Sequence, residues 1–181
     1  MSKKKKFFYG FFTDVGISGV KILKILLLIP FVIIYTSSEL YGLYLSIVSV
    51  VGLLGLLDLG SGIYIIKELA KEKSEKIKIK TVSSVSNLII LNTLLIFLVG
   101  IIVYPLVLNL RPEFEIVNYL FPILLLIKLV SNLSSIPTSI QISSQRMGFV
   151  NSIKIILVPI EILLVLFFLN SDYGIFSLVY G

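Results

Sequence analysis

Long apolar runs broken by short polar connectors dominate the chain. A helix rising 1.5 Å per residue needs about twenty mainly apolar residues to cross a bilayer core. Five runs reach that length: Thr13–Tyr35, Gly42–Ile66, Val82–Leu108, Val117–Ile140 and Phe149–Leu169; a sixth begins at Tyr173 and is cut off at Gly181. The pattern predicts an all-α fold, a polytopic transmembrane helical bundle of five complete spans and the start of a sixth, with residues 1–181 as one domain.

The connectors predict its orientation. Lys3 to Lys6 precede the first run, and the next connector carries only Glu39. The connector after that holds Lys67, Lys71, Lys73, Lys76, Lys78 and Lys80. Arg111 faces Glu113 and Glu115 in the following one; Arg146 with Lys154 marks the fourth connector, and Asp172 the fifth. Lys and Arg thus gather in alternate connectors, which by the positive-inside rule predicts a multi-pass protein with its N-terminus in the cytoplasm. The first apolar run is too long for the core of a cleaved signal, and Thr36 to Glu39 make no small-residue cleavage site, so it reads as an uncleaved span. The lysine block at 67–80 also has the look of a polybasic lipid-binding segment, diluted by Glu68, Glu72 and Glu75.

Composition agrees and removes several chemistries. Hydrophobic residues make up 57% and charged residues only 14% of the 181, against about 45–50% and about 25% in soluble domains. The net charge of +6 sits at the ends of apolar runs, which argues for topology and against a nucleic-acid partner. With no histidine or cysteine, disulfides, zinc sites and imidazole catalysis are excluded. No phosphate-binding glycine loop is present, no cofactor or metal is expected, and no nucleophile–base pair points to an enzyme.

Chemistry therefore concentrates in the charges inside the runs: Asp14, Lys21, Lys24, Asp58, Lys128, Lys154 and Glu161. A Lys or Asp at a helix centre costs roughly 2.5–3.5 kcal/mol on insertion scales, and such groups normally face a bundle interior or a wet path. At about 100° per residue, Asp14, Ser18, Lys21 and Lys24 form one stripe. Lys128, Ser131, Asn132, Ser135 and Ser139 form another, and Lys154 shares a face with Glu161. These stripes suit helices that line a common aqueous or headgroup-sized cavity. Lys154 and Asp14 read more simply as interfacial groups that snorkel.

The second run differs. Gly42, Ser46, Ser49 and Gly60 lie on one side, with Gly55, Asp58 and Gly62 nearly opposite, so neighbouring helices can approach it on two faces. Asp58, about 12 Å from the inner end at 1.5 Å per residue, is expected to pair with Lys21 or Lys24, Lys24 preferred, as a structural or gating group. Glu161 and Lys128 form the second expected pair.

The stretch ELYGLYLSIVSVVGLLGLLDLGSGIYIIKELAK, with Tyr41-Gly42, Asp58-Leu59-Gly60 and Lys67-Glu68-Leu69-Ala70, resembles the second-span signature of bacterial polysaccharide flippases of the O-antigen and capsule type. QISSQRMGFVNSI, with Gln145-Arg146, is similar to that family's connector ahead of the fifth span. The family belongs with lipid II flippases and MATE exporters in the MOP superfamily. The resemblance implies the N-terminal bundle of a two-bundle fold around a cationic cavity, moving undecaprenyl-diphosphate-linked oligosaccharide by alternating access for cell-surface polysaccharide synthesis. Family members have about twelve to fourteen spans, so the chain corresponds to a fragment or a truncated product.

On this expectation Lys21, Lys24 and Lys128 are the substrate-binding cavity cations, and Asp58 and Glu161 are the buried ion-pair or gating groups. The partners are the lipid-linked glycan and membrane lipids, with a polysaccharide polymerase and glycosyltransferases as protein partners. Two readings compete: a MATE-type drug or cation exporter, and a truncated membrane protein that transports nothing.

Overall fold

The computed structural model describes residues 3–57, 60–72, 74–110, 115–144, 147–171 and 173–180. Every regular element among them is helical. They are α1 (Lys3–Tyr35), α2 (Ser38–Leu54), α3 (Ser61–Lys71), α4 (Glu75–Leu110), α5 (Val117–Ser143), α6 (Met147–Asn170) and the short α7 (Ser177–Tyr180), with 3-10 turns at Gly55–Leu57 and Gly174–Phe176. Five segments are long and apolar enough to cross a membrane: Phe8–Tyr35, Ser38–Leu57, Glu75–Asn109, Val117–Ser143 and Met147–Asn170. Large apolar side chains such as Phe12, Ile34, Leu91, Ile102 and Leu163 point outward, an arrangement that lipid rather than water solvates. The chain is an all-α, multi-pass membrane protein.

Where the pattern suggested one bundle, the helices gather into two compact units, residues Met1–Tyr44 with Gln145–Gly181, and Leu45–Ser144. In the first unit α1 packs along α6. Gly10 lies against Gly148, Gly16 against Ile155, and Asp14 and Lys24 reach Asn151 and Glu161. Partners rise together in number, so the two helices run parallel at a constant offset. Parallel packing is what the first and fifth spans of a serpentine chain require, since they cross in the same sense. Close approach is possible because Gly148 is buried with no side chain; a Cβ there would collide with the Tyr9 ring. The Tyr9 hydroxyl in turn hydrogen-bonds Ser152 at 2.6 Å.

In the second unit α4 and α5 are antiparallel. Thr93 meets Asn132, Gly100 meets Leu125, and the Tyr104 and Phe121 rings stack at 5.7 Å. The short α3 lies against both, placing Ile65 with Val85 and Ile89 in a cluster flanked by Leu69, Ile136 and Ile140.

The second span corrects an expectation. Gly42–Ile66 is not one continuous helix. Ser37 caps α2 by accepting the Leu40 amide at 3.1 Å, and Glu39 sits in the first turn, where a carboxylate complements the helix dipole. The helix tightens into a 3-10 turn at Gly55, and α3 starts separately behind Gly60, whose φ of 73° is left-handed. Clustered glycines weaken the helix here, and only glycine adopts that φ without Cβ crowding. Asp58 and Leu59, together with Lys73, Arg111, Glu113, Gln145, Arg146 and Asp172, lie outside the described residues.

Two substitutions separate backbone conformation from packing. Gly60→Ala should lower stability by about 1–2 kcal/mol, the penalty of a left-handed non-glycine residue. Gly52→Ala, in the body of α2 with open space beside it, should be neutral or gain up to about 1 kcal/mol from helix propensity. Unfolding curves of the purified chain in mixed micelles measure both.

Candidate functional site

The parallel register of α1 and α6 sets the geometry of the first unit. Lys24 Nζ donates to Glu161 Oε2 at 2.6 Å, and the pair is partly open, with side-chain exposures of 31% and 41%. At 1.5 Å per residue Lys24 lies about 24 Å from Phe8 and about 16 Å from Tyr35 along its span, so the ion pair sits at membrane depth. In such surroundings neither charge is tolerable alone, and a direct charge-assisted hydrogen bond offsets much of the desolvation of both.

Lys24 also borders a cavity of about 130 Å³ lined by Leu28, Val32, Tyr41, Tyr44 and Leu178. Tyr41 and Tyr44 stack in the first turns of α2, with centroids 6.4 Å apart and planes 21° from parallel. An ammonium and two phenols therefore meet within an otherwise aliphatic wall, and the ammonium is held from α6 by Glu161. Further along the same helix pair, Asn151 is buried and donates to Asp14 Oδ1 at 3.4 Å.

The second unit handles polar groups differently. Asn132 is buried and donates to Thr93, which donates onward to the Ile89 carbonyl, at 2.8 and 2.7 Å. Ser139 is buried where a Cβ at Gly62 would stand 3.1 Å from its hydroxyl, and Ser135 Oγ is buried without a hydrogen-bond partner. For these residues the α5 stripe faces α3 and α4 in the interior instead of lining an aqueous path. Lys128 Nζ lies over the 3-10 turn, 2.6 Å from where a Cβ of Gly55 would stand. A cation there sits by the carbonyl end of α2, where the helix dipole favours positive charge.

The expected site residues thus divide. Lys21 and Lys24 belong to the first unit, with Lys21 exposed and Lys24 paired. Lys128 belongs to the second. Glu161, expected to pair with Lys128, instead takes Lys24, because the α1–α6 register brings those two side chains level. The expected partner of Lys24, Asp58, lies outside the described residues. Lys154 is exposed. Sequence reasoning passed over Tyr44, Asn151 and Thr93. Asn151 carried a usable signal, falling two turns and more before Glu161 on the same side of the helix, where Asp14 and Lys24 are spaced alike.

Compared with known proteins, the chain matches no family model, no curated protein and no solved structure.

The ion pair is tested by a double-mutant cycle. Lys24→Met and Glu161→Gln should each destabilise the chain, while the double replacement should recover part of the loss, with a coupling energy of about 1–3 kcal/mol. Additive single effects in micellar unfolding would show that the two groups do not interact.

Proposed function

We propose that the protein is a flippase of the plasma membrane, its N-terminus inside, that moves an undecaprenyl-diphosphate-linked oligosaccharide by alternating access for cell-surface polysaccharide synthesis. The observation that carries this reading is the Lys24–Glu161 pair at membrane depth beside Tyr41 and Tyr44. Together with it stands the signature around Tyr41-Gly42, the resemblance that first suggested the family.

The chemistry follows from exchange of partners. With the cavity empty, Glu161 compensates Lys24. An incoming diphosphate offers the ammonium several strong acceptor oxygens, for which lysine acts as a compact point charge. Lys21, one turn earlier on α1 and exposed, adds a second cation to meet the diphosphate's charge. The phenol hydroxyls of Tyr41 and Tyr44 supply donors and acceptors to sugar hydroxyls, and their ring faces supply apolar contact. The polyprenyl tail stays in lipid. Because Glu161 is displaced rather than removed, its charge is free to bias the α1–α6 pair between two arrangements, as alternating access demands.

A cation exporter is the weaker reading. It needs a carboxylate free to receive a cation, and Glu161 already holds Lys24.

Transport in reconstituted vesicles tests the proposal, using a fluorescent lipid diphosphate-linked saccharide whose leaflet is read by a membrane-impermeant quencher. Wild-type protein should accelerate exchange between leaflets. Lys24→Gln should slow it at least about tenfold, as expected for losing an interaction with a charged group worth roughly 1.5–3 kcal/mol. Lys154→Gln should leave the rate within about twofold, as expected of a surface charge. Exchange no faster than in protein-free vesicles, with faster movement of an organic cation, would favour the exporter.

A further inference from the structure

The second unit holds a larger cavity, about 550 Å³, that the proposed transport does not use. That volume lies within the range of roughly 300–1,000 Å³ typical of small-molecule sites. It opens where α3 ends, α4 begins and α5 ends, and it is lined by Leu69, Ile79, Val82 and Ile140 together with Glu75, Lys78, Ser83, Ser143 and Ser144. α4 has 36 residues, about 54 Å at 1.5 Å per residue, while the hydrocarbon core is only about 30 Å thick. Its first turns, where Lys76, Lys78 and Lys80 alternate with exposed Ile77 and Ile79, therefore have the composition of a membrane–water interface, with stems in the apolar zone and heads in the polar one.

Among the described residues, the polar lining is balanced in charge. Lys78 Nζ is 3.0 Å from Glu75 Oε1. The hydroxyls of Ser143 and Ser144 both donate to the Ile140 carbonyl, at 2.7 and 3.1 Å. Their protons are committed, so each oxygen faces the cavity as an acceptor. The Ser83 hydroxyl has no partner among the described residues and is free to donate. Among the described residues, the cavity thus offers one cation and one hydroxyl donor for an anion, and one carboxylate with two hydroxyl acceptors for a cation that bears N–H groups.

We propose that this cavity binds the phosphoethanolamine headgroup of a zwitterionic phospholipid, the phosphate on Lys78 and Ser83, the ammonium on Glu75, Ser143 and Ser144, and the glycerol and upper acyl chain along Leu69, Ile79, Val82 and Ile140. An anionic lipid would leave Glu75 facing like charge. A choline headgroup has no N–H to donate to three waiting acceptors. Lys67, Lys71, Lys76 and Lys80 are outside the cavity lining, which separates this site from a polybasic surface.

Native mass spectrometry of the full chain in detergent, titrated separately with phosphatidylethanolamine, phosphatidylcholine and phosphatidylglycerol of identical acyl chains, decides the matter. The ethanolamine lipid should bind at least about fivefold more tightly than the choline lipid, the ratio expected for one or two net hydrogen bonds. Glu75→Gln, at an exposed position, should abolish that preference, and Lys67→Met, outside the cavity, should leave it intact. Soluble phosphoethanolamine should compete only at far higher concentration. Equal binding of the ethanolamine and choline lipids, a preference for the glycerol lipid, an unaltered preference in Glu75→Gln, or equal potency of the soluble headgroup would each overturn the assignment.

Discussion

A charge in the middle of a membrane-spanning helix is tolerable only beside a compensating group, and that requirement governs the first unit. Lys24 is an insertion burden of roughly 2.5–3.5 kcal/mol by itself, as is Glu161 to a similar order. Their 2.6 Å contact turns two burdens into one neutral group. For the contact to form, α1 and α6 must run parallel and hold a fixed offset over several turns. The small residues Gly10 and Gly148 allow the backbones close enough, and Tyr9 with Ser152 and Asp14 with Asn151 keep the offset at the other end of the pair. The ion pair and the glycine contact therefore work together: without close approach the charges do not meet, and the pair adds to the contacts that hold this offset.

The second unit obeys the same constraint with neutral groups. Asn132, Thr93 and the Ile89 carbonyl form a chain of hydrogen bonds in the interior, and small residues on α3 and α5 let the helices close over it, as polar and small residues do between helices in lipid. α3, a helix separate from α2, presents Ile65 and Leu69 to Val85, Ile89 and Ile140, while Lys128 lies over the 3-10 turn that follows α2.

The outline of this protein is legible in its hydropathy, because twenty apolar residues have few alternatives to a helix. Four of the five long runs occur as single helices near the expected positions, and the second is divided between α2 and α3. Two things were not legible. Gly55, Gly60 and Gly62 were placed on two faces of one run, Gly42–Ile66, but the same glycines are consistent with a helix and with a break; α3 packs separately against α4 and α5. Pairing was the other. Periodicity gives the face of a charge but not its partner, so Glu161 was matched to Lys128 by depth alone, whereas the offset between α1 and α6 matches it to Lys24. That offset rests on Tyr9, Gly10 and Gly148, residues which carry no charge and leave no periodic trace.

The contrast between the units bears on what each is able to do. In the second, Asn132 and Thr93 are buried and each is tied to the next group, so removing one bond strands another polar atom in a dry interior; such a network resists change. In the first, Lys24 and Glu161 each remain about a third exposed or more, and either has room for a new partner on its open side. A partner that brings its own negative charge to Lys24 leaves the ammonium compensated throughout, so the exchange passes through no state with a bare cation in lipid. Partial exposure, which makes this pair a modest source of stability, is also what makes it exchangeable. The chain thus places its interior polar contacts between α4 and α5 and its partly open one between α1 and α6.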